Sequence, residues 1–536
     1  MRPFGRQKIL FAAYSAIGAK AFINDRLISC PVLSKAPGYG QVLRRFILQL
    51  PLDAITPLLL LRIYLRYILT NAGHFLFLVM SACFLRLSGW QTPHALSASC
   101  SLVIIDTFAL LPKIAAERSY AERYLPGLSE AAREHGHQPL YLYRFYGSRN
   151  PIVLWKAMKV LGAGGGGFFE AHLFTPGDWF RLIWHCLAYP VALFRLVRDL
   201  RPFAEGTAES YIRNALIKTA GQCILIGESR RIAALRLGTL LAARPVGAKA
   251  QVVSWYENQT VNKAFQRGLT QARKKSGRHV PVTGAQLFPW SPAFLNNHPD
   301  DEEVALGLTP DRVLVNGPFF LPEASRQTYA PGPSLRYVDV YAPFSPLCSR
   351  QDRLRESTGR TLLVLLPHDP EETRHVLAIA LPLAVNRARE RPVDRAWNVI
   401  YRFHPAADSL AFRALLPPKP VIAGQSLKAS LEVVWRTGGA VLGSGSGSLA
   451  EAASLGVPVL VVAPVSGIPE LDFSCLPEYG KGILWENVRH PAEVNAAFAG
   501  LQSRELERAQ HARLFRDMLF TEPTRCSLAR AFGLDL

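Results

Sequence analysis

Gly443-Ser444-Gly445-Ser446-Gly447-Ser448-Leu449-Ala450-Glu451 lies between an apolar strand, Gly439–Leu442, and a helix over Ser448–Leu455, with a further apolar strand at Val457–Ala463. Strand, glycine loop, helix and strand in that order form a unit of a parallel sheet. Glycines let the backbone approach a ligand closely. The free amides of a helix N-terminus favour an anion, and serine hydroxyls add donors. The loop therefore fits a phosphate or diphosphate, and Glu451, one turn into the helix, is placed for ribose hydroxyls. The same residues also serve the helix. Ser448 and Glu451 have the spacing of a capping box, and a carboxylate in the first turn suits the helix dipole. Both roles can hold at once.

The pattern continues outward from this loop. Upstream, Thr361–Leu366 reads as a strand, Glu371–Glu390 as a helix, and Asn398–Phe403 as a strand running into His404-Pro405. The proline stops the strand, so His404 lands at its C-terminal edge, where open α/β sheets bind ligands. Val421–Ala423 is a weak strand and Leu427–Val434 a helix. Downstream come a strand at Gly482–Trp485, a helix at Pro491–Leu501 and a closing helix from Arg504 to Met518.

A similar series fills the first half. Ser101–Asp106, Pro139–Tyr146, Gln222–Ile226 and Ala250–Trp255 read as strands. Glu122–Gly136, Arg231–Ala243 and a segment through Arg273 read as helices. Short apolar strands alternating with helices imply parallel sheets covered on both faces. The Pro-, Ser-, Gly- and Arg-rich stretch 321–358 reads as a connection. The expected organisation is an apolar helical region at 1–95, a Rossmann-like domain at 96–340 and a second at 341–536. Gly162–Gly167, all glycine but for Ala163, lacks the lysine of a P-loop and reads as a flexible loop.

Composition bounds the function. The 536 residues are 49% hydrophobic and 19% charged, which supports sizeable cores and argues against disorder. With 61 Lys and Arg against 41 Asp and Glu, the formal charge is +20, which suits an anionic partner. No zinc-finger, RNP-like or basic-zipper pattern points to nucleic acid. The eight cysteines have no CxxC spacing and are expected as reduced, mostly buried thiols of a cytosolic protein. Neither Asp-x-Asp nor a His/Asp cluster points to a metal, and no cofactor is implied. Ile68–Leu85 is an apolar stretch between Arg66 and Arg86, close to the minimum length of a membrane span. Pro57–Tyr67 carries Arg62 and Arg66 beside Leu, Ile and Tyr, which suits a helix lying in a bilayer interface. Interfacial helices, core helices and a true span all remain open from the sequence. The expected location is the cytoplasmic side of an anionic inner membrane.

His404-Pro405, the serines at 444, 446 and 448, and Glu451-Ala452-Ala453-Ser454-Leu455-Gly456-Val457-Pro458 together resemble the C-terminal half of GT-B glycosyltransferases. Among these, the resemblance is to enzymes using CMP-activated sugars, the bacterial sialyltransferases and the Kdo transferases of capsule and lipopolysaccharide synthesis. CDP-glycerol glycerophosphotransferases carry a similar pair of motifs. Glu122-Arg123-Tyr124-Leu125-Pro126-Gly127-Leu128 and Trp255-Tyr256-Glu257-Asn258-Gln259 are similar to surface-carbohydrate biosynthesis proteins. Together these cover roughly residues 101–500. The resemblance implies two Rossmann-like domains facing a cleft. It also implies a nucleotide-sugar donor held by His404, Pro405, Gly443, Ser444, Gly445, Ser446, Gly447, Ser448 and Glu451, and a glycan or lipid-linked glycan acceptor. A polyol phosphotransferase and a non-catalytic scaffold of the same fold are the alternatives.

In the resembling sialyltransferases the catalytic base is a carboxylate in an Asp/Glu-Asp/Glu-Gly motif, of which this sequence has no clear copy. Transfer to a hydroxyl needs a carboxylate or histidine within reach of the acceptor proton. Three carboxylates follow expected strands: Glu257 first in preference, then Glu228, then Asp106. A cap or a solvated loop is the plainer role for each. Lys263, Arg267, Arg273, Lys274, Lys275 and Arg278 form a basic stretch that suits an anionic acceptor or headgroups, or a solvated face.

Overall fold

The computed structural model describes residues 5–24, 38–96, 98–199, 206–245, 247–291, 294–323, 325–342, 360–367, 369–385, 397–404, 413–417, 420–424, 426–463 and 474–535. Pro405, Cys30 and Cys348 lie outside them, as do the end of the expected connection, 343–358, and the end of the helix expected to reach Glu390.

Two parallel sheets organise the chain. The first is built from β1 (Leu102–Leu110), β2 (Gln138–Tyr146), β3 (Gly167–Phe169), β4 (Ala250–Trp255), β5 (Val282–Gln286), β6 (Arg312–Val315) and β7 (Tyr329–Pro331). Its order is β3-β2-β1-β4-β5-β6-β7. The second is built from β8 (Arg360–Leu366), β9 (Trp397–Phe403), β10 (Val421–Ile422), β11 (Ala440–Gly443), β12 (Val459–Val462) and β13 (Trp485–Val488), in the order β10-β9-β8-β11-β12-β13. In each sheet the chain starts in the middle, runs outward for two further strands, then crosses to the other side of its first strand. The crevice at such a reversal is where these sheets bind ligands. It lies between β1 and β4 in one domain and between β8 and β11 in the other.

The strands form where they do because they are buried on both faces. In β1 seven of nine residues are buried, and in β8 six of seven. One apolar cluster joins the domains: Tyr256, Val313, Val315 and Phe320 share it with Leu363, Val441, Leu449 and Ala453. The chain then returns. A helix at Glu505–Leu519 is followed by one at Arg525–Phe532, whose Leu528, Ala529 and Phe532 pack with Leu125, Leu128 and Ala132 of the first domain. Sequence reading missed this last helix.

Several expected elements move. The helix expected from Glu122 begins only at Leu128, because the Glu122 carboxylate folds back to accept from the amides of Tyr124 (2.7 Å) and Leu125 (3.1 Å), making a turn instead. The strand expected at Gln222–Ile226 is the start of a helix, Leu225–Ala242. The Asn71 side chain accepts from the amides of Ile224 and Leu225, both at 3.1 Å, and so supplies the cap that the local sequence lacks. The glycine run at 162–167 ends one helix and begins β3, and the expected connection contains β7. The strand expected at Gly482–Trp485 lies instead at Trp485–Val488. Of the six described cysteines only Cys475 is buried; Cys83 and Cys526 are exposed, against the expectation of mostly buried thiols.

The apolar stretch around Ile68–Leu85 belongs to one helix, Pro57–Ser88. Thr56 caps it by accepting from the Leu59 amide, a proline opens it, and Gly89 ends it at φ 68°, a conformation that favours glycine. At 1.5 Å per residue it is about 48 Å long. Shorter helices at Gly5–Asn24, Gly38–Ile47 and Ala208–Thr219 share a core with it and with the helix Pro176–Asp199. They touch both domains. Ser15 donates to Asp300 at 2.6 Å, and Arg44 pairs with Glu371 at 2.7 Å. The second contact is exposed and so contributes little stability.

Candidate functional site

The serine-glycine loop follows β11, and its backbone is shaped as its composition suggests. Gly445 has φ 32°, in the left-handed region that favours glycine. The helix behind it is Gly447–Ser454, capped by Ser446, whose side chain accepts from the Ser448 amide at 3.3 Å. The cap is thus Ser446 rather than the expected Ser448. Ser444 donates to Glu372 at 3.5 Å. Gly443 lies in register with Leu365 of β8, and Arg402 of β9 lies in register with the same residue. His404, one residue past β9, donates its amide to the Leu366 carbonyl at 3.0 Å and is exposed. His404 and the loop therefore flank the end of β8 from its two sides. With strands about 4.8 Å apart, their strand ends stand about 10 Å apart, wide enough for a nucleotide phosphate between them.

Glu451 lies one turn into the helix and partly buried. Burial pushes its carboxyl up to about 8, with Asp339 adding to the rise and Arg336 and Arg402 opposing it. The folded chain thus keeps a proton there that the unfolded chain releases above its ordinary value of 4.5. This residue's contribution to stability is full below that value and is lost as pH rises to about 8. Glu451→Gln, which stays neutral, is therefore expected to show a flatter fall of Tm between pH 5 and 8 than the wild type. Scanning fluorimetry checks this, and parallel profiles would show that Glu451 titrates normally.

Across the cleft, Glu257 follows β4. It is half-buried and accepts from the Trp255 indole at 2.7 Å and from the Gln259 amide. Both donors orient the carboxylate at the rim. The opposing loop is close by. A Cβ on Gly447 would meet Pro289 of the first domain at 3.4 Å, and neighbouring Phe288 packs on Trp255 with ring centroids 5.6 Å apart.

One residue that sequence reading missed ties the two sides together. The Arg336 guanidinium lies 5.3 Å from the Tyr124 ring centroid and 5.4 Å from that of Trp255, the residue that holds Glu257. Its charge also lowers the pKa of Glu451. A cation thus stacks on the tryptophan that holds Glu257 and is near enough to Glu451 to act on its charge. It sits in the Pro- and Ser-rich stretch after β7, where no periodicity or motif marks it.

The other candidates lie elsewhere. Glu228 is in the first turn of its helix, buried, and accepts through both oxygens from one edge of the Arg231 guanidinium, with His185 at 4.0 Å. Asp106 lies in mid-strand rather than at a strand end, fully buried. Burial alone would raise its pKa, but Arg144 and Arg230 hold it below its ordinary value. Arg230 also pairs with Glu170 at 3.2 Å. Removing one member of such a buried set typically costs about 3–5 kcal/mol, so Asp106 ties β1, β2 and the helix Leu225–Ala242 together. In the basic stretch, Lys263 is buried against Glu303 and is not a surface cation.

Two parallel-sheet domains of this order, joined across a cleft and closed by a returning helix, form the GT-B architecture. No protein-family model matches the chain, and no curated protein matches it. Solved structures resemble it faintly. The wall teichoic acid polymerase TagF is 9% identical, with 90% of this chain and 98% of that one covered and a TM-score of 0.37. The lipopolysaccharide outer core galactosyltransferase WaaB is 12% identical, with 81% and 100% covered and a TM-score of 0.37. An alpha,alpha-trehalose-phosphate synthase from Burkholderia vietnamiensis is 12% identical, with 81% and 99% covered and a TM-score of 0.39.

Proposed function

We propose that the chain is a glycosyltransferase that moves a sugar from a CMP-activated donor to a glycan or lipid-linked glycan of the bacterial surface, working on the cytoplasmic side of the inner membrane. What supports this reading is that His404 and the serine-glycine loop follow the strands on either side of β8, and that Trp255, which donates to Glu257, packs on Phe288 beside Pro289, the residue against Gly447. The helix amides and serine hydroxyls bind the phosphate, and Glu451 takes the ribose. His404 donates to the phosphate as the sugar–oxygen bond breaks, so that charge developing on the leaving nucleotide is met by a fixed donor. Glu257 accepts the proton of the acceptor hydroxyl as its oxygen bonds to the sugar carbon. Arg336, a cation beside Trp255 and near Glu451, offsets negative charge on this side of the cleft.

Nucleotide profiling tests the reading. CMP is expected to raise Tm more than UDP or GDP at equal concentration, and a CMP-sugar is expected to be consumed with release of CMP. Consumption of CDP-glycerol with no turnover of any CMP-sugar would replace the sugar transferase with a polyol phosphotransferase.

A further inference from the structure

Two helices among the described residues are long and apolar enough to cross a membrane, Pro57–Ser88 and Pro176–Asp199, and 33% of the most apolar 18-residue stretch of each is buried. They lie side by side and antiparallel. Tyr67 donates to the Cys186 carbonyl and stacks on Tyr189, with centroids 5.9 Å apart, while Phe75 meets Trp179 edge-on at 5.9 Å. The inward face of the second helix carries Leu182, His185, Tyr189 and Leu196. Its outward face carries Phe180, Trp184, Leu187, Val191 and Phe194, each more than half exposed, with Phe180 at 74%. Their spacing of four, three, four and three residues puts them on one stripe. Leu58, Leu61, Leu65, Leu69 and Leu76 form a matching exposed stripe on the first helix. Large exposed apolar surface of this kind marks a binding face.

Charge decides what covers it. Pro57–Ser88 contains no carboxylate, and on Pro176–Asp199 Asp178 is buried and Asp199 is paired with Arg198. Because the helices are antiparallel, exposed Arg62 and Arg66 near the start of one stand at the same end as exposed Arg195 and Arg198 at the close of the other. A second copy related by a twofold axis would set this cationic face against itself. Anionic headgroups complement it, and arginine stems can lie along apolar surface while their charges reach the headgroups. The basic end adjoins the helical cluster of Leu10, Tyr14 and Leu43, which includes Tyr67 and Tyr189 and whose helices touch the rims of both domains.

We propose that the outward faces of these two helices form one monotopic docking surface for an anionic bilayer, with its basic end beside the cleft mouth. Sequence reading considered the first helix alone; the second stripe is visible only in the fold. The proposal depends on the transferase reading only for its use, which is to bring a lipid-linked acceptor to the cleft.

Flotation of the full chain with vesicles tests it. The wild type is expected to float with vesicles of phosphatidylcholine and 30% phosphatidylglycerol, a composition chosen at roughly the anionic content that polybasic surfaces sense, and to bind pure phosphatidylcholine more weakly. Trp184→Glu with Leu187→Glu is expected to lower partitioning by about a hundredfold, since two exposed apolar anchors become charged. Both positions face solvent, so circular dichroism and the CMP-induced Tm shift should match the wild type. That second readout separates failure of the dock from failure of the donor-site reading. Replacing Arg62, Arg66, Arg195 and Arg198 by glutamine is expected to remove the preference for anionic vesicles. Wild-type flotation of the Trp184→Glu, Leu187→Glu variant would overturn the proposal. So would membrane retention after alkaline carbonate, which marks a span, or light scattering that shows a dimer dissolved by the same two substitutions.

Discussion

Glu257→Gln is expected to reduce sugar transfer by about 100- to 10,000-fold, the usual worth of general acid–base catalysis, while CMP binding stays near wild type. The substitution keeps the shape of a side chain that is only half-buried, and its amide oxygen can still accept from the Trp255 indole. What disappears is the capacity to take a proton. The serine-glycine loop proposed to bind the nucleotide lies in the other domain, so its affinity has no direct reason to fall. Glu228→Gln is the control. That carboxylate is buried against Arg231 and beside His185, so its loss is expected to lower Tm while the folded fraction turns over at a near-normal rate. Saturating-donor kinetics with calorimetric CMP titration read both quantities. Normal transfer by the Glu257 variant, together with a dead but folded Glu228 variant, would hand the acceptor role to Glu228.

The reach of sequence reading followed the strength of local signals. The second domain was legible because its strands are short, apolar and interrupted by glycine or proline, so β8, β9 and β11 fall within a residue or two of their expected positions. The loop at Gly443–Ser448 carried its own signal in glycines and serines before a helix. The first domain was read less well. Ile224–Ile226 is apolar in a way that suits strand and helix alike, and the choice is made by Asn71, over 150 residues away, whose carbonyl caps the helix. Asp106 read as a rim carboxylate because its strand was expected to end there, whereas β1 continues to Leu110 and the charge is neutralised by two arginines from other elements. Such compensation is tertiary and leaves no trace near residue 106. Arg336 is the clearest case. Its neighbours Tyr124, Trp255 and Glu451 come from three distant segments, so only the fold assembles the group.

His404→Ala is expected to lower kcat by about 100- to 1,000-fold, the loss seen when one preorganised donor to a developing negative charge is removed. The fold should survive, because the side chain is exposed and the residue's amide, which bonds the Leu366 carbonyl, is unaffected by the change. Ground-state nucleotide binding should weaken far less than turnover, since on the proposed reading the serine-glycine loop and the helix amides behind it still hold the phosphate. That split is diagnostic: an interaction made mainly as the bond breaks lowers kcat and kcat/KM together and leaves KM in place. A histidine that merely ordered its loop would instead shift Tm and donor KM. His404→Gln, which retains a donor of similar reach, is expected to recover part of the lost rate. Wild-type turnover by His404→Ala, or a loss confined to KM, would remove His404 from the chemistry and leave the anion role to the serine-glycine loop.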